Sequence, residues 1–156
     1  MNDITVRPAR PEDVRPALAL ALRVFIEFEA PVYAPEAVDN FKADCIENES
    51  YIGNDISGRH AMFVAYDSSK LVGMVCEKDS NHISILMVDG AYHRQGIATA
   101  LMDAIIGAMA PARITVNSSP YALPFYSGYG FAPTGAEQKL NGFLFTPMSY
   151  ERGITP

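Results

Sequence analysis

A twelve-residue segment of this chain, from Val88 to Thr99, reads VDGAYHRQGIAT and lies between two different hydrophobic patterns. Residues 83–88 before it are too uniformly apolar to alternate between two faces, which is typical of a strand covered on both sides. From Gln95 onward, the apolar residues recur at helical spacing until Pro111. The segment is therefore predicted to be a loop that leaves a buried strand and enters an amphipathic helix.

The start of such a helix is suited to bind an anion. Its first amides have no partner within the helix and point outward, at the positive end of the helix dipole. Gly96 has no side chain and Ala98 has a small one, so the backbone can approach a diphosphate closely, and Arg94 can add a positive charge. In isolation the same residues are better explained as a simple turn into the helix, so the context of the motif decides between the two interpretations.

Patterns in the rest of the chain predict an α+β fold around one sheet. In the first helix, Asp13 is a plausible N-cap, because this start leaves Pro16 in the first turn, where a missing N–H is tolerated. Two apolar stretches joined by turn residues 67–69 predict a hairpin, and a strand, helix, strand unit follows it. The predicted strands are 4–6, 60–66, 70–77, 82–88, 114–116 and 143–148, and the predicted helices are 13–25, 35–49, one beginning at 95, and 120–126.

Composition narrows the class of protein. A length of 156 residues without repeats or a linker predicts one domain over residues 1–156. Eighteen acidic against twelve basic residues give a formal charge of -6, which disfavours nucleic acid and weakly favours cationic partners. The absence of an export signal and of a long apolar run predicts a cytoplasmic protein without membrane insertion. Cys45 and Cys76 are interpreted as reduced thiols.

Two motifs together resemble the GNAT superfamily of N-acetyltransferases. Val88-Asp89 followed by residues 93–98, HRQGIA, resembles the acetyl-CoA-binding motif of that family, with His93 in place of the usual Gln or Arg. Residues 117–126 and 128–131, NSSPYALPFY and GYGF, resemble its fifth strand and the following helix. The resemblance implies a mixed, mostly antiparallel central sheet flanked by helices, in which the parallel fourth and fifth strands splay apart.

The resemblance also implies where acetyl-CoA binds. The pantetheine arm would lie between the splayed strands, where unpaired backbone groups can accept an amide-bearing ligand, and the diphosphate would rest on the loop before the helix. Asn117 has an alternative interpretation as a turn former. The candidate coenzyme-binding residues are Leu86, Met87, Val88, His93, Arg94, Gln95, Gly96, Ile97, Ala98, Thr99, Asn117 and Phe125.

By the same resemblance, Tyr126 is the general acid that protonates the departing thiolate of coenzyme A. The alternative for Tyr126 is a packed core tyrosine, and Tyr129 is its nearest competitor. An amine acceptor must lose a proton before it attacks, so a base is expected near the acceptor. Glu27 and Glu29 are the candidates, with Glu29 assigned as catalytic. Other residues that could hold a water or act nearby are His82, Ser84 and Glu77.

These features predict direct transfer of the acetyl group to a primary amine within a ternary complex. The amine belongs to a small molecule or a protein, and a homodimer is possible. No metal is expected, because neither cysteine has a metal-type neighbour in the sequence and His60 and His93 lack ligand spacing. The alternative is a non-catalytic acyl-CoA-binding or sensing module. A nucleotide-binding P-loop is excluded by the missing Lys and Ser/Thr of that motif.

Overall fold

A computed structural model describes residues 2–79, 81–109 and 112–151 of the chain. Pro111, the expected end of the helix that starts near Gln95, lies outside these residues. The strands are β1 (Ile4–Pro8), β2 (Met62–Asp67), β3 (Lys70–Lys78), β4 (His82–Val88), β5 (Arg113–Ser118), β6 (Ala132–Pro133), β7 (Gln138–Leu140) and β8 (Phe143–Glu151). The α-helices are α1 (Pro11–Val24), α2 (Glu36–Phe41), α3 (Glu49–Ser57), α4 (Ile97–Ala108) and α5 (Leu123–Tyr129).

The strands form one sheet in the order β1-β2-β3-β4-β5-β8-β6, with β7 paired to β8. Every pair is antiparallel except β4 and β5, which are joined through α4 and run parallel. Because alternate residues of a strand point to opposite faces, Met74 and Cys76 pack with α1 to α3 whereas Val75 packs with α4 and α5. The predicted α+β fold is therefore confirmed.

A bulge explains why the parallel pair splays. β4 and β5 share only two paired positions, His82 with Thr115 and Ile83 with Val116. On the other side of β4, the register with β3 shifts at the next residue, Ser84, which is the extra residue of a β-bulge. Bulges bend a strand and increase its twist. The remainder of β4, residues 84–88, therefore separates from β5 and leaves an open gap, as the family resemblance implied.

The start of α1 differs from the prediction. The helix begins at Pro11, and Asp13 is its third residue rather than its N-cap. The Asp13 carboxylate accepts hydrogen bonds from the Arg10 amide at 2.7 Å and from Arg7 Nη1 at 2.7 Å, and it serves the helix start from that position. Pro16 consequently lies inside the helix, on its exposed side, where the Glu12 carbonyl can turn to water.

Residues 25–57 are also divided differently from the prediction. α1 continues into a π-helical turn at Phe25–Glu29, and the helix predicted over 35–49 consists of α2 followed by a second π-helical turn at Lys42–Ile46. α3 was missed. Its N-cap is Asn48, whose side chain accepts from the Tyr51 amide, and it ends at Gly58 in the left-handed conformation. In the described residues no helix is long and apolar enough to cross a bilayer.

Candidate active site

The gap between the splayed strands opens into a cleft of about 460 Å³. One wall is the free end of β4, the second is the loop and first turn of α4, and the third is the segment that leads into α5. Ten of the residues predicted to bind acetyl-CoA line this cleft, namely Leu86, Met87, Val88, His93, Arg94, Gly96, Ile97, Ala98, Thr99 and Phe125.

Asp89 anchors the loop that enters α4 to the sheet and to α1. Its carboxylate accepts from the Ala91 amide at 2.9 Å and pairs with Arg23 of α1 at 2.9 Å, and its own amide donates to the Val72 carbonyl. Gly96 is the N-cap of α4 and adopts φ +80°, a conformation that glycine adopts without strain. Arg94 also has a positive φ, of 63°. The loop therefore presents the free amides of α4 to the cleft.

Three rings surround one end of this cleft. His93 Nε2 lies 2.6 Å from the Val88 carbonyl oxygen, and its Nδ1 lies 3.2 Å from the Tyr121 hydroxyl. Phe28 contacts both the His93 and Tyr121 rings, with centroids 4.7 and 5.3 Å away. Position 90 requires glycine, because a Cβ there would lie 2.7 Å from the Phe28 ring. His93 thus connects the free end of β4 to the segment before α5.

A second cavity, of about 360 Å³, lies beside the cleft and shares four lining residues with it. The shared residues are Glu29, Leu86, Met87 and Ala122. Aromatic rings from the segment between α1 and α2, from α2 and from β8 line much of this cavity, together with two further charged side chains. These are Phe25, Tyr33, Phe41, Phe143, Phe145, Asp44 and Lys78.

Glu29 lines both cavities, and its charge acts on Tyr126, which lines the second cavity. Burial raises the pKa of Glu29 to about 7, and hydrogen bonding with Ser119 offsets part of that effect. Burial and the charge of Glu29 raise the pKa of Tyr126. Tyr126 is 5% exposed and lines the second cavity, and its hydroxyl makes no hydrogen bond to another described residue. A carboxyl group with a pKa of about 7 and a phenol with a raised pKa therefore line the same cavity.

Comparison with known proteins assigns the family. The model of the acetyltransferase (GNAT) domain matches residues 29–152, which is most of the chain and includes most of the residues that line the two cavities. The chain belongs to the GNAT family. The sequence resemblance is thereby confirmed, and the protein is an acyltransferase of the N-acetyltransferase type.

Relatives of this GNAT protein share its length as well as its fold. YafP, an uncharacterized N-acetyltransferase of Escherichia coli K12, is 27% identical over 131 residues, which is 84% of this chain and 83% of YafP. A GCN5-related N-acetyltransferase from Rhodopseudomonas palustris superimposes with a TM-score of 0.80 at 24% identity, over 97% of each chain. The PaiA N-acetyltransferase from Thermoplasma acidophilum, solved in complex with coenzyme A, gives 0.75 at 15% identity, over 96% of this chain and 99% of PaiA.

Two residues predicted to bind the coenzyme lie elsewhere in this GNAT domain. Gln95 does not line the cleft, because its side-chain oxygen accepts a hydrogen bond from Asn2 Nδ2. Asn117 lines the second cavity instead of the cleft, at the end of β5 where it pairs with Pro147 of β8.

The candidate bases separate into two groups. Glu29 and Ser84 line the second cavity, although Ser84 already bonds with the Tyr51 hydroxyl at 2.7 Å and with the Cys76 carbonyl at 3.1 Å. Glu27 is exposed and lines neither cavity. The remaining two candidates also lie outside the linings: His82 contacts Thr115, and Glu77 is buried and accepts from the Ala61 amide.

Several residues of the second cavity were missed from the sequence. Hydrogen bonding with Ser119 opposes the rise in pKa that burial causes at both Glu29 and Tyr33. The β7–β8 hairpin supplies Leu140, Asn141 and Phe143. The signal for this hairpin is present, because Asn141-Gly142 is the preferred pair for a two-residue turn. The turn residues have φ 52° and 89°, and Leu140 pairs directly with Phe143.

Proposed function

We propose that this GNAT protein transfers the acetyl group of acetyl-CoA to a primary amine. The observation that carries the proposal is the junction of the two cavities at Glu29, Leu86, Met87 and Ala122. A donor in the cleft between the splayed strands and an acceptor in the second cavity would meet there. Placing two reactants next to each other removes much of the entropic barrier to a bimolecular step.

The cleft has the chemistry that acetyl-CoA requires. Residues 84–88 of β4 have no partner on β5. Apart from the Val88 carbonyl, which is 2.6 Å from His93 Nε2, the backbone groups on this edge are free to pair with the amides of the pantetheine arm. The first amides of α4, beside Arg94 and Gly96, suit the diphosphate. The unpaired strand end and the anion site lie in the same cleft, and each binds a different part of the same molecule.

Glu29 and Tyr126 carry the proton transfers. The neutral amine attacks with its nitrogen lone pair, which forms the new bond to the acetyl carbon, and Glu29, with a pKa near 7, accepts the proton that this nitrogen loses. When the carbon–sulfur bond breaks, Tyr126 donates its phenolic proton to the leaving thiolate. The proton held by Glu29 returns through solvent to the phenolate, so the enzyme is unchanged after one turnover.

The lining of the second cavity favours an acceptor with a positive charge and an apolar body. Glu29 and Asp44 supply two acidic groups against the one basic group of Lys78. Phe25, Tyr33 and Phe143 form a cluster of rings with centroids 5.4 to 6.1 Å apart. Aromatic faces attract an ammonium group as well as apolar groups. We therefore expect amines that carry an aromatic or branched alkyl group, free or at the end of a peptide, to be better acceptors than linear polyamines.

Direct transfer in a ternary complex is supported by the absence of a thiol at the junction. Among the residues that line the two cavities, neither Cys45 nor Cys76 occurs, and Cys76 is fully buried in the core. An acetyl-cysteine intermediate therefore has no candidate there. Steady-state rates measured over both substrates should fit a sequential mechanism, and mass spectrometry after mixing with acetyl-CoA alone should show no acetylated protein.

The decisive experiment measures release of free thiol from acetyl-CoA with a panel of primary amines. Turnover with at least one apolar amine, together with mass-spectrometric detection of its acetyl amide, supports the proposal. The alternative, a non-catalytic acyl-CoA-binding module, predicts that acetyl-CoA raises the melting temperature by mass action while no amine releases thiol. Failure of coenzyme A to change the melting temperature would contradict both functions.

A further inference from the structure

A buried cluster lies outside both cavities, between α3 and the sheet. It consists of Asp55 on α3, His60 in the loop before β2, and Cys76 on β3. Cys76 Sγ lies 3.1 Å from Asp55 Oδ1, and His60 Nδ1 lies 3.3 Å from the same oxygen. One ligand-type atom from each residue lies within 4.8 Å of the other two. Spacing along the chain concealed this cluster, because the three residues come from separate elements.

The hydrogen bonding of the cluster is incomplete. Asp55 Oδ2 and His60 Nδ1 are buried and have no hydrogen-bond partner in the described part of the chain. The Asp55 side chain is 0% exposed and that of His60 is 12% exposed. Buried polar atoms without a partner are rare and costly in proteins, and an unseen ion is one accepted explanation for them. The His60 ring and the Asp55 carboxylate are close, yet their orientation does not make a hydrogen bond.

We propose that Asp55, His60 and Cys76 bind one divalent transition-metal ion, of which Zn²⁺ is the best match. Bonds of about 2.0 to 2.3 Å at tetrahedral angles separate neighbouring ligand atoms by roughly 3.3 to 3.5 Å. The two separations in the cluster, 3.1 and 3.3 Å, are close to that range. The free Asp55 Oδ2 or a water entering past His60 can complete four donor atoms.

The donor set also selects the class of metal. Thiolate and imidazole are ligands of zinc, cobalt and related ions, whereas calcium and magnesium require oxygen donors. On binding, Cys76 forms a sulfur–metal bond and its thiol proton leaves to solvent, so the thiolate and the Asp55 carboxylate together balance the two charges of the ion. The ion would fasten α3 to β3.

The metal site would also affect the second cavity, which is called the acceptor cavity from here on because the amine is proposed to bind there. The Tyr51 hydroxyl lies 3.6 Å from Cys76 Sγ and 2.7 Å from Ser84 Oγ, and Ser84 lines the acceptor cavity. Ser84 is also the bulge residue at which β4 leaves β5. A metal at Cys76 would therefore stabilise the part of the sheet on which the splayed strands depend.

Cobalt titration tests this site directly. The full-length protein is treated with chelator, dialysed and titrated with Co²⁺ under reducing conditions, because a cobalt–thiolate bond absorbs in the near ultraviolet. We expect one equivalent to produce this absorption, Zn²⁺ to displace it, and Cys76→Ser to abolish it. Cys45→Ser is the matched control and should retain it, because Cys45 has no part in the cluster.

Two outcomes would overturn the proposal. The first is an absence of cobalt absorption in folded wild-type protein, which would leave the cluster as a buried ion pair with a thiol donor. The second is an absorption that survives Cys76→Ser. If Cys76→Ser fails to fold, His60→Gln serves in its place, because His60 is at the edge of the cluster, and it should lose cobalt binding while retaining its circular dichroism spectrum.

Discussion

Tyr126 is the single residue at which a catalytic role and a packing role predict different results. Tyr126→Phe keeps the ring contacts with Phe125 and Phe131 and removes only the hydroxyl, which makes no hydrogen bond to the described residues. We expect turnover to fall by a factor of about 10² to 10⁴ while the melting temperature and coenzyme A affinity remain close to wild type. Rates and melts should be measured on the same preparation.

Tyr129→Phe is the matched control for this variant. Its hydroxyl donates to Asp103 Oδ1 at 2.6 Å, away from both the cleft and the acceptor cavity. Its loss should leave turnover unchanged. Unchanged turnover in Tyr126→Phe, under conditions where product release does not limit the rate, would instead remove Tyr126 as the acid.

If Glu29 is the base, a rise in pH should increase its contribution to kcat/KM and decrease its contribution to the stability of the fold. As the base, Glu29 must be ionised, so the ratio of wild-type to Glu29→Gln kcat/KM should increase with pH and level off above about 7. Using this ratio removes the titration of the amine itself, which both proteins share. A ratio that does not vary with pH would show that Glu29 is not the base. Glu27→Gln is the control, and the ratio of wild-type to Glu27→Gln kcat/KM should not vary with pH.

The stability of the fold should respond in the other direction. The pKa of Glu29 is raised from 4.5 to about 7 in the folded protein, so between these values the native state binds a proton that the unfolded state does not. The wild type should therefore lose stability relative to Glu29→Gln from about pH 4.5 to about pH 7, by roughly 2 to 3 kcal/mol in all. Urea denaturation of both proteins at several pH values measures this difference.

Individual site residues could be predicted only where they occupy motif positions. Tyr126 and Gly96 belong to short patterns whose spacing is visible in the sequence, and the structure places both at the cavities. Tyr33 lies outside both motifs and Ser119 lies inside the second one, yet no spacing in the sequence indicates that either interacts with Glu29. Asn117 and Gln95 also occupy motif positions, yet neither lines the cleft. Gln95 bonds with Asn2, and Asn117 pairs with Pro147 and lines the second cavity.

Two glycines at opposite ends of α4 test the role of the turn that precedes this helix, because their replacement by alanine should have opposite effects on stability. Gly96 adopts φ +80°, so Gly96→Ala should destabilise the fold by about 1 to 2 kcal/mol and weaken coenzyme A binding. Gly107 is an exposed residue in the last turn of α4, where alanine is still the better helix former. Gly107→Ala should therefore stabilise the protein by about 0.5 to 1 kcal/mol and leave binding unchanged.

The comparison requires melts and coenzyme A titrations of both variants. No Cβ contact is expected at Gly96, so any loss of stability there comes from its backbone conformation and not from crowding. Coenzyme A affinity equal to wild type in a folded Gly96→Ala protein would contradict the assignment of this turn to the diphosphate.

The bounds of an element were predicted well where its apolar pattern is uninterrupted, and poorly where polar, glycine or capping residues allow more than one interpretation. β4 was predicted at its exact bounds, 82–88, because five of the six residues 83–88 are apolar and turn signals lie on both sides. The start of α1 was wrong because Asp13 can serve a helix from its third position as well as from its cap. α3 contains Gly53 and several polar residues, so the apolar stripe that marks a helix is weak there.

At the level of the whole molecule, the gap that makes the site depends on contacts that the sequence does not display. The parallel pairing of β4 and β5 follows from the order of elements, but its end at Ile83 follows from a bulge at Ser84. The bulge in turn is held by the bond of Ser84 to the Cys76 carbonyl and by Tyr51 from α3. Three distant segments therefore determine one opening in the sheet.

The acceptor cavity is closed by a hairpin that packs against α2. The Gly142 carbonyl accepts from the Ala34 amide at 3.0 Å, and Asn40 Nδ2 donates to the Asn141 carbonyl at 2.7 Å. A Cβ at Gly142 would lie 2.8 Å from Glu36 Cγ and 2.9 Å from the Ala37 amide nitrogen. Gly142→Ala should therefore displace the hairpin from α2 and with it Phe143, which lines the cavity.

We expect Gly142→Ala to raise the KM for the amine several-fold while the affinity for coenzyme A stays at the wild-type value, because the hairpin does not line the coenzyme cleft. Gly58→Ala is the matched control: Gly58 has the same left-handed conformation, at φ +81°, but no atom near its would-be Cβ. Both variants should lose about 1 to 2 kcal/mol of stability from backbone strain. Equal amine KM values for the two variants would show that strain alone, and not the docking of the hairpin on α2, accounts for the effect.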